Sequence, residues 1–388
     1  MDTEEELITL SEPECGSREL ELIGSVLYSG RWSDGVMLES FEAAFANWVG
    51  RTYALAVGSG TLGVWMTLRA WGIGPGDEVI CPSHSWHQVA QAVTLAGATP
   101  VFADINYWSG CLSPEKAALK ITDRTKAILA GNTNGHPAAW HDLRALAAEH
   151  RLHLLEDSTE ALGSRYRGQN VGSFGDVAVF DFAQPSALCT GEGGMLVTDN
   201  EALFHELRYL RQRRLADRHS VSVGARVPLQ AGMSEITAAL GLAQLATLDE
   251  RLAVRKRVQG WYEAEMQSFE GIKPPYIGDG VDEIHWMLYV VHLGKRFSGS
   301  ARTQMIDDLR SGGIETAAYS HPLHQQFFYQ NAAAGIGHKR GLLADTDRIG
   351  DRALALPLHT QLDSSQVKFI VKTLKDTSLN VGAGAAIY

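Results

Sequence analysis

Val79-Ile80-Cys81-Pro82-Ser83-His84-Ser85-Trp86 joins a short apolar run to a polar turn that closes on an aromatic ring. Val79 to Pro82 has the length and composition of a buried strand, and a helical pattern from His87 to Ala96 follows at once. The same alternation spreads outward on both sides. Pro100-Val101-Phe102, Ala127-Ile128-Leu129-Ala130, His153-Leu154-Leu155-Glu156 and Val177-Ala178-Val179-Phe180 are further short apolar runs, with helical spacing between them, as in His141 to His150. Strands alternating with helices predict a layered α/β fold. Met195-Leu196-Val197-Thr198 adds a strand that Asp199-Asn200 closes, and Ser234 is placed to cap a helix running toward Leu248. A long polar helix from about Glu250 to Met266 leads into a second domain, with a strand at Met287–Val291 and a helix from Ala301 to Leu309. The expected division is a large domain over 1–250, a smaller one over 251–376, and a loose Gly/Ala-rich tail over 377–388.

Composition narrows the function. At 388 residues, 45% hydrophobic and 20% charged, the chain is of ordinary globular type with ample core. Its net charge of -11 argues against nucleic acid, which calls for a basic stripe. Cys15, Cys81, Cys111 and Cys189 are scattered, which suits a reducing compartment rather than a disulfide framework. The acidic start, Met1 to Glu6, lacks the basic and apolar regions of a signal peptide, and no apolar run approaches a membrane span. A cytoplasmic protein without a membrane partner is expected.

Three local patterns bear on chemistry, each with two readings. Ala56-Val57-Gly58-Ser59-Gly60-Thr61 before the helical stretch Leu62 to Trp71 is either an anion-binding helix start or a tight turn without a ligand. Trp86, just past a strand end, either stacks on a planar ring or fills a half-buried core position. Asp157, in Leu155-Glu156-Asp157-Ser158, either holds a protonated ring nitrogen or caps the next element. His84-x-x-His87 has metal-like spacing but no third ligand at useful distance, so no metal is expected.

Taken in order, these pieces resemble the DegT-type sugar aminotransferases, within the fold-type-I pyridoxal phosphate enzymes. The resemblance runs from about Leu20 to Leu374. It includes Gly74-Pro75-Gly76-Asp77-Glu78-Val79, Ala96 to Phe102, Arg124 to Ile128, Glu156-Asp157-Ser158, Gly191-Glu192-Gly193-Gly194, Met233-Ser234-Glu235, Gly241 to Leu245, Pro322-Leu323-His324 and Leu356-Pro357-Leu358. It implies a large domain with a mainly parallel seven-stranded sheet, a smaller C-terminal α/β domain, and a homodimer with active sites at the subunit interface. By position, Gly60 and Thr61 would face the cofactor phosphate, Trp86 would stack on its ring and Asp157 would meet its pyridine nitrogen.

The departures gather in that same site. No lysine occurs between Lys126 and Lys256, and Ser186 stands where the resemblance puts the Schiff-base lysine. Asp181 replaces the phosphate-binding serine, Gln230 replaces an asparagine that the partner subunit contributes, and Glu160 replaces a neutral His or Gln. A serine forms no imine. A carboxylate touching a phosphate costs roughly 1 to 4 kcal/mol per charge pair.

Three functions remain open at this level. Pyridoxal or pyridoxamine phosphate could be held noncovalently, as in related dehydratases of keto-sugars. A cofactor-free site could use Ser186, Cys189, His84, His87, Asp157 and Glu160 for acid–base or nucleophilic work. The chain could instead be a noncatalytic subunit paired with a lysine-bearing paralogue. The favoured expectation is an enzyme of sugar, cyclitol or natural-product biosynthesis with no covalent cofactor. Asp157, Glu160 and Asp181 would be its acid–base or amine-binding groups, and their charge predicts a cationic, amine-bearing substrate. His321 and His324 belong either to the cavity wall or to a surface loop.

Overall fold

The computed structural model describes residues 7–33, 35–86, 88–211, 227–267, 271–331 and 341–384. Its strands are β1 (Tyr53–Val57), β2 (Glu78–Pro82), β3 (Thr99–Ala103), β4 (Thr125–Gly131), β5 (His153–Asp157), β6 (Arg165–Tyr166), β7 (Gln169–Asn170), β8 (Val177–Asp181), β9 (Gly194–Thr198), β10 (Ile272–Lys273), β11 (Val281–Glu283), β12 (Tyr289–Leu293), β13 (Ala317–Ala318) and β14 (Ala353–Leu356). Its helices are α1 (Ser17–Ser29), α2 (Val36–Val49), α3 (Gly60–Ala70), α4 (Gln88–Leu95), α5 (Pro114–Ala118), α6 (Trp140–His150), α7 (Glu201–Arg211), α8 (Glu235–Ala246), α9 (Leu248–Glu265), α10 (Gly299–Ser311), α11 (Phe327–Gln330), α12 (Ala344–Gly350) and α13 (Ser364–Gly384).

Seven strands form the main sheet in the order β1-β9-β8-β5-β4-β2-β3. Here β9 pairs antiparallel with both neighbours, and the remaining pairs are parallel. Because side chains alternate along a strand, each run of apolar residues feeds two cores. Val79, Cys81, Val177 and Val179 pack with Val64 and Leu68 of α3 and Val89 and Val93 of α4. On the opposite face Ala178 and Phe180 meet Phe41 and Phe45 of α2, while Ile80 and Ile128 meet Trp140 and Leu143 of α6. Helices on both faces explain why β2, β8 and β9 are buried along their whole length.

A second, antiparallel sheet has the order β10-β12-β14-β13, and β11-β6-β7 makes a small third one. The expected strand at Met287–Val291 is shifted to Tyr289–Leu293, and the cause is Asn134. Its side chain accepts from Leu288 N at 3.0 Å and donates to Leu288 O at 3.1 Å, so these backbone groups are taken before the ladder begins.

The polar helix expected from about Glu250 to Met266 is α9, and both of its halves are packed into cores. Leu248 and Leu252 pack in the core under α2, and Val258 and Tyr262 pack in the core of the second sheet. Arg255, midway, is buried and donates to the carbonyls of Leu358, Trp286 and Met287 at 2.6, 3.0 and 2.6 Å. Burial pushes its guanidinium down to about 10, still charged at neutral pH. Of the loose tail expected over 377–388, the part from Thr377 to Gly384 is corrected: α13 continues to Gly384, with Thr377 and Ser378 buried and Val381 in the second core, while 385–388 lie outside the described residues. Among the described residues no helix is long and apolar enough to cross a membrane.

Candidate active site

The parallel strands β2, β4, β5 and β8 end on one edge of the main sheet, beside the start of α3. Such an edge is where open α/β sheets place ligands. Asp157 is the last residue of β5 and lies beside Gly131, the last of β4. It is buried, and its Oδ1 accepts from Thr159 N at 3.1 Å. Asp181 ends β8 and is only 6% exposed. Its Oδ2 accepts from Gly60 N, the first residue of α3, at 2.6 Å, and its Oδ1 accepts from Ala183 N at 2.8 Å. Thr159 Oγ1 accepts from Asp181 N at 3.1 Å, which couples the ends of β5 and β8. A Cβ on Gly60 would lie 2.8 Å from Asp181 Oδ2, so the missing side chain is what admits the carboxylate.

Glu160 lies just beyond Asp157. Its Oε2 accepts the hydroxyl of Tyr319 at 2.5 Å and the amide of Asn134. Burial pushes this carboxyl up to about 7, the charge of Asp157 adding to the rise while the bonds from Tyr319 and Asn134 oppose it. Tyr319 is itself held well above the usual phenol range, by burial first and then by Glu160, so it stays a donor. Glu156, four residues before Glu160 and on β5, is a contrasting case. It accepts from Asn132, Ser158, Gly172, Phe174 and Gly175 and ties loops together without facing the site.

The other expected residues fall in different places. His84 is buried, hydrogen-bonded through Nδ1 to Gly110 O at 3.3 Å, and meets the Tyr319 ring edge-on at 5.4 Å. Burial pushes its imidazole down to about 4, so it is neutral at pH 7. Ser186 is half-buried and accepts from Leu188 N at 3.3 Å, a local turn contact. Among the described residues no recorded bond joins it to a histidine. The Cys189 thiol is pushed up by burial, with Asp181 and Glu192 adding to the effect, the reverse of an activated nucleophile. Trp86 and Thr61 are half-buried at the rim. Gln230 is exposed, next to Ala231, whose carbonyl accepts from Gly58 N at 2.8 Å. His87 lies outside the described residues. Reasoning from sequence missed Tyr319, Asn134 and Thr159, since no spacing rule links position 160 to 319.

His324 settles its open alternative by being fully buried. Its Nδ1 meets Ser83 Oγ at 2.6 Å and its Nε2 meets Asp347 Oδ1 at 3.0 Å. The chain Ser83–His324–Asp347 has the partners of a hydrolase triad, yet Ser83 is 0% exposed and its oxygen also accepts from His324 N at 3.0 Å. No substrate reaches it. It is a joint that fastens β2 to the segment after β13.

Comparison with known proteins agrees with this architecture. The model of the DegT/DnrJ/EryC1/StrS aminotransferase family matches residues 13–375. The chain therefore belongs to the DegT/DnrJ/EryC1/StrS aminotransferase family. It is 33% identical to the spore coat polysaccharide biosynthesis protein SpsC of Bacillus subtilis, over 94% of this chain and 96% of that one. It is 36% identical to the GDP-perosamine synthase of Caulobacter vibrioides, over 88% and 90%. Among solved structures, DesV of S. venezuelae in complex with a ketimine intermediate superposes with a TM-score of 0.86 at 31% identity, covering 96% of this chain and 98% of that one.

Proposed function

We propose that this aminotransferase-family chain serves sugar, cyclitol or related natural-product biosynthesis, and performs acid–base chemistry on an amine-bearing substrate without a covalently held B6 cofactor. The names of its relatives, a perosamine synthase and a polysaccharide biosynthesis protein, support the pathway class. The observation that carries the chemistry is the lysine gap from 127 to 255, with Ser186 at the position the family resemblance gives to the imine-forming amine. The residues fit the cofactor poorly at its other end too, since Asp181 already takes the Gly60 amide.

In this reading Glu160 is the proton-transfer group. A carboxyl that titrates near 7 both takes and gives a proton at neutral pH. Oε2 is held by Tyr319 and Asn134, which leaves Oε1 for exchange. Asp157 supplies negative charge for a substrate ammonium, and Trp86 offers an apolar wall. Ser186 fills the space of a longer side chain.

The working unit is a pair of subunits. Leu20, Leu27 and Tyr28 of α1, Trp32 in the next turn and Val36 at the start of α2 are exposed apolar side chains in one short stretch, which supports a subunit contact there. A second copy is the first choice of partner, and a lysine-bearing paralogue the alternative.

The test is to incubate the protein with pyridoxal phosphate, reduce with borohydride and weigh it. The expected product is unmodified protein without an absorbance band from a coenzyme imine. A stoichiometric adduct would refute the reading.

A further inference from the structure

We infer that Asp181 is a resident anion: it fills the start of α3 in place of a ligand's phosphate, so the cleft takes ligands that bring no phosphate to that end. The inference rests on the preceding reading only in treating α3 as the phosphate end of the family's cofactor site.

The first amides of a helix are unpaired and carry the positive end of its dipole, which makes them an anion site. In α3 three of the first four amides are already served from within the chain. Gly60 N donates to Asp181 Oδ2 at 2.6 Å, Leu62 N to Ser59 Oγ at 3.2 Å and Gly63 N to Ser59 O at 3.0 Å. Asp181 comes from the far end of β8, and its placement is built rather than incidental. Its second oxygen is held by Ala183 N, its own amide is held by Thr159, and the lack of a Cβ on Gly60 makes room for it. Hydrogen bonds to both oxygens hold the carboxyl group of Asp181 at the helix end. An incoming phosphate would have to displace a buried side chain and also meet its charge. A neutral or cationic group meets neither obstacle.

The test uses inorganic phosphate, which has no aldehyde and so is independent of imine formation. The full chain and its Asp181→Ser variant are titrated with phosphate by calorimetry, with the phosphate-dependent rise in melting temperature as a second readout. Binding to the variant is expected to be about ten- to a thousandfold tighter than to the wild type. Should Asp181→Ser fail to fold, Asp181→Asn keeps the side chain's size, removes its charge, and is expected to show a gain in the same direction. Equal phosphate affinity in wild type and variant would overturn the inference, and so would a folded variant that gains no phosphate site. A borohydride-trapped adduct on the wild type, by contrast, would count against the proposed function and leave this comparison intact.

Discussion

Glu160 owes its titration near neutrality to two opposed influences, and they are separable by mutation. Burial and the neighbouring Asp157 favour the protonated form, while Tyr319 and Asn134 stabilise the carboxylate. Glu160→Gln is expected to lower turnover of an amine-bearing substrate on the order of 10²- to 10⁴-fold and to remove an inflection near pH 7 from kcat/KM. Tyr319→Phe removes a bond that lowers the pKa, so the inflection should move upward while activity persists. An unchanged profile in Tyr319→Phe would show that Tyr319 does not govern Glu160. The same carboxyl sets a stability trend. Its pKa is raised from 4.5 to about 7 in the folded state, so the native form binds more protons between those values. Stability from this group is therefore full below about pH 4.5 and lost as pH rises through 7, on the order of 3 kcal/mol at most. Denaturation of the wild type and Glu160→Gln across this range checks the sign.

At the scale of elements, the joints between layers are polar. Ser83 and His324 join β2 to the segment following β13, Asn134 joins the end of β4 to β12, and Glu235 accepts from Met37 N and Leu38 N at 2.9 and 3.0 Å to cap α2. Ser83→Ala leaves His324 Nδ1 buried without its partner and should cost about 1 to 3 kcal/mol, read as a lower denaturation midpoint with an unchanged slope. The pH profile of catalysis should not move, because this triad-like chain is sealed. These joints also mark where the sequence was hard to read. Six of the seven strands of the main sheet and the cap at Ser234 were legible, because buried runs and capping residues act locally, whereas β1 was read only as the turn before α3. The onset of β12 was not, because Asn134 decides it from more than a hundred and fifty residues away. Asp181 was legible as an unusual residue, but its role depends on Gly60, and only the register of β8 against α3 brings those two together.

For the whole molecule, the apolar stretch from Leu20 to Val36 predicts self-association. Sedimentation is expected to give a dimer, and Leu27→Glu with Tyr28→Glu should shift it toward monomer while circular dichroism is retained. Helix α8 packs against α1 and α2 of the same chain, and the exposed apolar side chains of this region lie on α1 and at the start of α2.

Helix α9 has a mechanical corollary. Its front half is anchored in one hydrophobic nucleus and its rear half in another, with Arg255 pinned to three carbonyls between them. Parting these two cores would require bending the rod or tearing one of its ends out.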